Sequence, residues 1–444
     1  MADWRIYAFD LDGNGGMTLN DGDVRASAQP TRELSGHGAL NLTLAPEQDI
    51  TLTPWKSLMV AELDGSIRGA GVVSNLVDDG DGTLSVTCVG IPGYYAPLPA
   101  DMNRKYRDID PALVLRDMFK WAAGRGGTNV GLRYGTYEDT GVRVGNPDPL
   151  VKDPGPFRDK PPVMRPAPRE PQKKDYPNYY LKGNKSAQVA KRKQARDKYN
   201  AAMKVWRTQR DAIKKDNKDR MKKFTDAQKA HAAAVKEYRK TLDDAAIKVQ
   251  WWDNPTIGGV VDDMAKHIDY RVVTDWSGGF PRFTLETAKR LGRRQTGLRF
   301  AVGENVLASP QVDWTGDTYA TQVVFLGAGE GAAMIRGVAT GQRDGLARSV
   351  FISDQSVRSK AAAQRRAQRA LKWRQTMPQI TELVVRDDDN APFGSFEVGD
   401  EIRVTDTSGR WAGTVDMWVR ILAITESTES AVATLTVARA DKGE

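Results

Sequence analysis

The hydrophobic positions of this chain change period along its length, and the change separates β-rich ends from a helical middle. In residues 1–96, short apolar runs alternate with polar positions and are separated by Gly, Asn and Asp, which is typical of strands joined by tight turns. The predicted strands are WRIYAF (4–9), LNLTL (40–44), LMVAEL (58–63), 71–77 and 84–89. This spacing predicts a small β-sandwich or β-barrel as the first domain.

A connecting segment, 97–141, follows this domain and contains a short amphipathic helix over residues 110–123. Asp110 is placed to cap the helix N-terminus, and Pro111 suits its first position because that backbone nitrogen needs no helical partner. Gly124 ends the pattern.

The β-rich pattern returns after residue 250. Segment 250–348 opens with a helix from Asn254-Pro255 to about His267 and continues with the strand-like runs FTLE, LRFAVGENV, TQVVFLGAGEG and MIRGVAT. Segment 349–378 contains an Ala- and Arg-rich helix over 357–373. The last domain, 379–444, contains ITELVV, EIRVTD, WVRILAI and ATLTVA. The predicted fold class is therefore mainly β with α+β elements.

Two of these β-rich stretches share a layout. Residues 58–90 and 401–438 each contain a strand, a polar turn, a second strand, another polar turn and a final apolar strand. The sequence identity between them is low, so the layout is consistent either with a structural repeat or with two generic β-meanders.

The middle of the chain combines a proline-rich arm, 142–183, with a glycine- and proline-free stretch, 184–249. Ten of the 22 prolines lie between Pro147 and Pro177, which predicts an extended arm near polyproline II over 146–177. The second stretch predicts a long helix. At about 3.1 Å per arm residue and 1.5 Å per helical residue, the two would reach roughly 115 Å and 100 Å. Similar lengths let the arm travel outward and one long helix return, which is favoured over a helical hairpin turning near 216–218.

One face of this predicted helix carries aromatic and aliphatic residues at spacings of three and four. We name this face the helix stripe, and its predicted assembly residues are Tyr199, Met203, Trp206, Ile213, Asn217, Phe224 and Tyr238. Arg210, Asn217 and Arg220 interrupt the apolar positions, and polar residues at such positions weaken a coiled coil while helping to fix its register. Three arrangements remain open: self-association along the stripe, packing on the proline arm, or a solvated single helix with charge pairs.

The positive charge of the chain is concentrated in this helix. The net charge is +8, yet residues 185–248 contain 20 Lys or Arg against 8 Asp or Glu, so the remainder is slightly acidic. This distribution argues against a nucleic-acid-binding protein as a whole. With one cysteine, Cys88, the chain has no disulfide framework. Without a secretory signal pattern or a long apolar run, we expect synthesis in a cytoplasm and no membrane anchor.

Two short motifs invite a chemical interpretation. Asp10, Asp12, Asn14 and Asp21 have partial EF-hand spacing, and the first two also resemble a phosphatase nucleophile motif; a hairpin turn explains the same residues and is favoured. The glycines of GAGEG (327–331) follow a strand as a phosphate loop would, but lack the Gly-Lys-Ser/Thr ending, so a tight turn is favoured.

No arrangement of residues typical of catalysis is present in the sequence. His37, His231 and His267 lie in three different segments, and the carboxylate runs 262–263 and 387–389 are typical of solvated surface. The sequence therefore predicts no enzyme, and no catalytic, cofactor-binding or metal-binding residue.

Several segments form a recognisable series when they are taken in order. They are Trp251-Trp252 with Asn254-Pro255, the run Phe300–Val306, the run Val324–Gly331, the helix 357–373, and the runs Phe396–Val404 and Val419–Leu422. Together they resemble the minor tail or baseplate hub proteins of long-tailed phages that infect actinobacteria. The resemblance covers most of 1–141 and 250–444, whereas the insertion 142–249 is not part of the shared pattern.

This resemblance implies a homotrimeric ring at the distal end of a phage tail tube, in the virion tail tip, with two tube-type β-domains in each chain. The implied partners are the tail tube, distal tail proteins, other tail-tip proteins and the tape measure protein. A cell-wall hydrolase of the tail and a DNA-contacting protein acting through the basic helix are the alternatives.

Overall fold

The computed structural model describes residues 4–11, 16–19, 26–45, 51–80, 82–146, 153–310, 312–313, 319–341, 346–354, 357, 359–374, 379–407 and 414–440. The chain forms two compact units. The first combines 1–148 with 245–444, and the second comprises 149–244. The chain is mainly β with one long helix, as the sequence predicts.

The N-terminal strands pair with one another in a single antiparallel order. They are β1 (Trp4–Asp10), β2 (Gly16–Thr18), β3 (Ala26–Glu33), β4 (Ala39–Leu44), β5 (Ser57–Leu63), β6 (Ser66–Asp78) and β7 (Leu84–Val89). Their order across the sheet is β3-β4-β7-β6-β5-β1-β2. Every residue of β5 is buried, because Leu58 and Val60 pack in one hydrophobic cluster and Met59 and Ala61 in another on the opposite face. A strand covered on both faces explains the unbroken apolar run LMVAEL.

A layer of helices and short sheets covers one face of β5. Its elements before the insertion are α1 (Ile91–Tyr95), β8 (Asn103–Tyr106), α2 (Pro111–Ala123) and β9 (Arg133–Tyr134). The Asp110 side chain accepts a hydrogen bond from Ala112 N at 2.8 Å, which confirms the predicted cap of α2. Leu115 and Phe119 of α2 are buried in the same cluster as Leu58.

The stretch that follows the proline-rich arm forms one continuous α-helix, α3 (Ser186–Ala245), of 60 residues. One long helix is therefore confirmed over a hairpin. The helix ends before the predicted Val249, because residues 247–250 form β10 (Ile247–Gln250), which pairs with β8. Val249 is 1% exposed in the core of the first unit, and this burial favours the strand over a further helical turn.

The layer on β5 is completed after the insertion by α4 (Ile257–Ala265), β11 (Asp269–Ser277) and β12 (Phe280–Ala288). Thr256 caps α4 by accepting a hydrogen bond from Gly259 N at 3.1 Å. β12 pairs with β11 on one side and with β9 on the other, so residues before and after the insertion share one small sheet.

The remaining elements form two groups. In chain order they are β13 (Phe300–Ala301), β14 (Val312–Asp313), β15 (Gln322–Leu326), β16 (Arg336–Thr340), β17 (Ser349–Ser353), α5 (Lys360–Arg374), β18 (Gln379–Ile380), β19 (Glu382–Arg386), β20 (Glu401–Asp406), β21 (Val415–Glu426) and β22 (Val432–Arg439). Strands β16, β15 and β17 form a separate sheet that packs on α5. Strands β13 and β18–β22 build the C-terminal β-domain around their own hydrophobic cluster, and β14 pairs with β18.

The two β-domains repeat one arrangement of four strands. In the first domain the order is β4-β7-β6-β5, and in the second it is β19-β22-β21-β20, with every neighbouring pair antiparallel. The long middle strands, of 13 residues in β6 and 12 in β21, each carry a β-bulge at the same place, after Val73 and after Ile421. The shared layout of 58–90 and 401–438 is thus a structural repeat.

The two β-domains are joined edge to edge within the chain. Strand β3 pairs with β4 of the first domain through residues 26–31 and with β21 of the second through residues 31–33. Hence one sheet of 12 strands runs through both domains.

Candidate functional site

The helix stripe on α3 packs against the proline-rich arm of the same chain from Tyr199 to Phe224. All seven predicted assembly residues (Tyr199, Met203, Trp206, Ile213, Asn217, Phe224 and Tyr238) are half-buried, whereas most of the other α3 side chains are exposed. Of the three arrangements considered from sequence, the structure contains the packing on the arm. The hydrophobic spacing thus coincides with the face that packs on the arm, and assembly along this face stays a prediction.

The arm and the helix run antiparallel, and the C-terminal end of the arm contacts α3 through a group of tyrosines. The ring of Tyr199 lies 5.6 Å from that of Tyr176 and 5.3 Å from that of Tyr179, both in edge-on geometry. Lys173 and Arg196 lie over the Tyr179 ring at 5.6 and 5.8 Å. Edge-on aromatic pairs and cations over rings are each favourable, so this group fixes the end of the arm on the helix.

The middle of the arm is held by hydrogen bonds to its backbone. Trp206 Nε1 donates to Pro168 O at 2.9 Å. Asn217 bonds both backbone groups of Arg165: Arg165 N donates to Asn217 Oδ1, and Asn217 Nδ2 donates to Arg165 O, each at 2.9 Å. A proline-rich segment lacks backbone partners of its own, so these side chains supply them.

The polar interruptions of the stripe therefore have defined partners. Arg210 lies over the Trp206 ring at 4.9 Å, and Arg220 pairs with Asp216 at 3.0 Å. Asn217, expected from sequence to specify the register of an assembly, specifies where Arg165 sits along the helix.

The N-terminal end of the arm contacts α3 through aromatic rings. Phe157 lies 5.8 Å from Phe224 and 5.3 Å from His231, and His231 Nε2 is 2.9 Å from Gly155 O. The contacts from Gly155 to Leu181 run beside the helix from His231 to Arg192, which is roughly 58 Å at 1.5 Å per residue. The arm thus advances roughly 2.2 Å per residue, less than the predicted 3.1 Å of polyproline II. Part of the reason is a 3₁₀ turn at Lys173–Asp175.

Replacing Phe224 by alanine is expected to loosen the arm locally. Loss of the aromatic pair and of its packing lowers the free energy of opening by about 1–2 kcal/mol, a factor of roughly 5–30 in the open population. Trypsin cleavage after Arg158, beside Phe157, should accelerate by that factor. Met221→Ala is the matched control, because Met221 is 42% exposed on the same helix. Equal acceleration in both variants would contradict the pairing.

A buried ion cluster lies where the two β-domains join. Glu426 of β21 is fully buried and accepts hydrogen bonds from Arg32 Nη2 at 3.2 Å, Arg68 Nε at 3.1 Å and Arg68 Nη2 at 2.5 Å. Burial alone would raise the pKa of Glu426, but the two guanidinium groups outweigh it and hold that pKa below its ordinary value. Glu397 also pairs with Arg32, at 3.4 Å. The sequence did not predict this cluster, because each strand contributes one charged residue and the three strands are far apart along the chain.

The candidate chemical motifs form no reactive site among the described residues. Asp10 is exposed at the end of β1, whereas Asp12, Asn14 and Asp21 lie outside the described residues. No group of three or more His, Cys, Asp or Glu in the described ranges could hold a metal ion. Residues 327–331 make the predicted turn: Gly329 has φ of +112°, and a three-residue 3₁₀ turn follows where a phosphate loop would need a helix.

Carboxylates and histidines are likewise dispersed. Asp262 and Asp263 are exposed on α4, and His37, His231 and His267 lie on separate elements. None of the helices in the described ranges combines the length and the apolar content needed to cross a bilayer.

Comparison with solved structures identifies the fold. The chain is similar to the 43 kDa tail protein of prophage MuSo2 from Shewanella oneidensis, with a TM-score of 0.54, 13% identity and 98% of each chain covered. It is also similar to a tail protein from Neisseria meningitidis MC58, with a TM-score of 0.51, 9% identity, and 99% and 97% covered. The chain has the fold of a phage tail protein. No protein-family model matches it, and no curated protein matches it significantly.

Proposed function

We propose that this chain is a non-enzymatic structural protein of a phage virion, the hub at the distal end of the tail tube. The observation that carries the proposal is the repeat: each chain holds two β-domains of one design, joined in a single sheet through β3 and β21. The fold shared with a prophage tail protein and a second tail protein, over nearly their whole length, supports a role in the tail.

The repeat favours a homotrimer. Three chains with two similar domains each give six similar units, and a closed ring of six could bind the end of a sixfold tube. The hub proteins of long-tailed actinobacterial phages, which the sequence resembles, imply this arrangement. Cyclic closure is also the usual solution for homo-oligomers. Native mass spectrometry at micromolar concentration should give a trimer, and a monomer there would contradict the proposal.

The arm and α3 are proposed to contact neighbouring tail-tip proteins, with the tail tube, distal tail proteins and the tape measure protein as the other partners. Most of the positively charged side chains of the insertion are exposed residues of α3. They include Lys193, Lys204, Lys215, Lys222, Lys229 and Lys236. An acidic partner surface would complement it, and such a contact weakens as salt rises.

Deleting the insertion should separate these two roles. Val144 bridges to Ile109 before it and Ile247 pairs with Tyr106 after it, so both ends are anchored on neighbouring residues of the first unit. Replacing 149–244 by a short Gly/Ser linker should leave the trimer intact and the melting temperature nearly unchanged, while virions with the variant lose tail-tip assembly or infectivity. Loss of the trimer would mean that the insertion builds the ring; full infectivity would mean that it has no role at the tip.

A further inference from the structure

Strand β6 has one edge that is half covered. On that side residues 66–72 pair with β5, and the pairing ends where Trp55 N donates to Val73 O at 2.7 Å. On the other side β6 continues along β7 as far as Asp78. Within the described ranges no strand pairs with residues 74–78 on the β5 side, where Val77 is 45% exposed. Such an edge presents backbone donors and acceptors to another strand.

The same edge in the second β-domain is occupied. Gly399 N donates to Ile421 O at 2.8 Å, and this bond ends the contact of the β20 segment with β21, as the bond from Trp55 does in the first domain. Beyond it, strand β3 takes the free edge: Thr31 pairs with Thr425, and Leu34 N donates to Leu422 O at 2.8 Å. An equivalent edge in one repeat thus binds a strand from the other repeat.

The registers define which residues correspond. Val73 and Ile421 both precede the bulge and both accept the bond that ends the first pairing, so they are equivalent. Counting onward, Val77 is equivalent to Thr425, the residue that faces Thr31 of β3.

The strand equivalent to β3 follows from the same registers. In the first domain, Leu40 of β4 pairs with Cys88, and Cys88 pairs with Val73. In the second domain, Val437 N donates a hydrogen bond to Thr381 O, and Val437 pairs with Ile421. Leu40 therefore corresponds to Thr381.

The preceding residues of those two strands, Ala39 and Ile380, correspond in turn. Ala39 faces Thr31, and Ile380 faces Val312 of β14. Hence Val312 is the equivalent of Thr31, and β14 is the equivalent of the end of β3 that reaches into the other repeat. In the described ranges β14 pairs with β18 alone.

We propose that the edge of β6 at residues 74–78 binds β14 of a second copy of this chain, with Val312 of that copy opposite Val77. The inference rests on the proposed ring and gives it an interface: joints within a chain, through β3, alternate with joints between chains, through β14. Each joint is an antiparallel strand addition, in which the backbone supplies the hydrogen bonds. Because the described part of each copy offers both such an edge and such a strand, the contacts are head-to-tail and can close into a ring.

A cysteine pair tests the proposed register. Directly opposed residues in antiparallel strands have Cα atoms about 4.5–5.5 Å apart, within the range a disulfide spans. In the double variant Val77→Cys/Val312→Cys, mild oxidation should link most chains into dimers and trimers on a non-reducing gel. The native Cys88 is 0% exposed, and burial raises the pKa of its thiol, so it should stay silent.

Two controls make the result specific. Each single variant should stay unlinked, as should Val77→Cys combined with Leu346→Cys, since Leu346 is 94% exposed on another part of the chain. A trimer by native mass spectrometry with no linkage in the double variant would overturn the strand pairing and leave the proposed ring standing. A monomer would overturn both. Linkage in the Leu346 control equal to that of the test pair would show random collision and overturn the pairing.

Discussion

Replacing Glu426 by glutamine is expected to lower the free energy of unfolding by about 3 kcal/mol, the lower end of the range for breaking a buried ion pair. Glutamine keeps the size of the side chain but removes the charge that balances Arg32 and Arg68. The buried Arg68 and the half-buried Arg32 then keep Glu397 as their acidic partner. Because the cluster lies where β3 meets β21, the loss should appear in chemical denaturation and as faster amide exchange in those two strands.

Asp416→Asn provides a matched control on the same strand. Asp416 accepts hydrogen bonds from Arg403 at 2.6 and 2.7 Å on the exposed face of β21. Ion pairs exposed to water contribute little to stability, so this variant should change unfolding far less than Glu426→Gln. Similar losses in the two variants would mean that the buried cluster has no special role at the joint.

The same substitution should flatten the acid limb of the stability profile. The pKa of Glu426 is lowered in the folded chain, because Arg32 and Arg68 outweigh the effect of burial. A carboxylate of this kind stabilises the fold above its unfolded-state pKa, roughly 4.3, and the contribution disappears as pH falls through the folded-state pKa. Unfolding measured from pH 7 downward should therefore show the two proteins converging below about pH 4. A difference that stays constant with pH would contradict the assignment.

Replacing Gly337 by alanine is expected to cost about 2–3 kcal/mol, the upper part of the range for overpacking a core. A Cβ atom at Gly337 would lie 2.3 Å from Ala363 C and 2.4 Å from Ala363 O, which are backbone atoms of α5. The helix must therefore move away from β16. Gln364 would be drawn along, and its two hydrogen bonds to Val338, at 3.0 and 2.7 Å, would lengthen.

Gly297→Ala is the control for this effect, because no atom lies within 4 Å of a Cβ built at Gly297. Thermal unfolding should place Gly337→Ala clearly below the parent protein and Gly297→Ala close to it. Amide exchange should locate the damage in β16 and α5. A Gly337 variant as stable as its control would show that α5 does not pack closely on the sheet.

The sequence predicts those elements of the fold that depend on residues close together along the chain. The predicted strands of the first domain correspond to β1 and β4–β7, and the cap at Asp110 is where the sequence places it, because alternation, turn residues and capping act over a few positions. Strand β3, ASAQPTRE, was missed since it is polar and contains Pro30. Its pairing with β21 spans almost the whole chain, and short-range patterns do not report such contacts.

The candidate surfaces likewise combine features that the local sequence predicts with contacts that it does not. The helix stripe follows from spacing alone, but its partner, the arm, has no periodicity that would indicate which arm residue meets which helix residue. Asn217 looked like a position that sets the register of an assembly, and its contact with Arg165 became visible only in the structure. The cluster around Glu426 depends on three residues brought together from distant strands, so no local pattern contains it.

The antiparallel arm and helix constrain each other's length. Both ends of the insertion are anchored beside Tyr106, and each arm residue covers roughly one and a half helical residues, at about 2.2 Å against 1.5 Å. Adding one heptad to α3, about 10 Å, therefore requires about five more residues in the arm to keep Asn217 and Trp206 on their partners. The length of the insertion can therefore be changed only by lengthening or shortening the arm and the helix together, in two separate stretches of the gene.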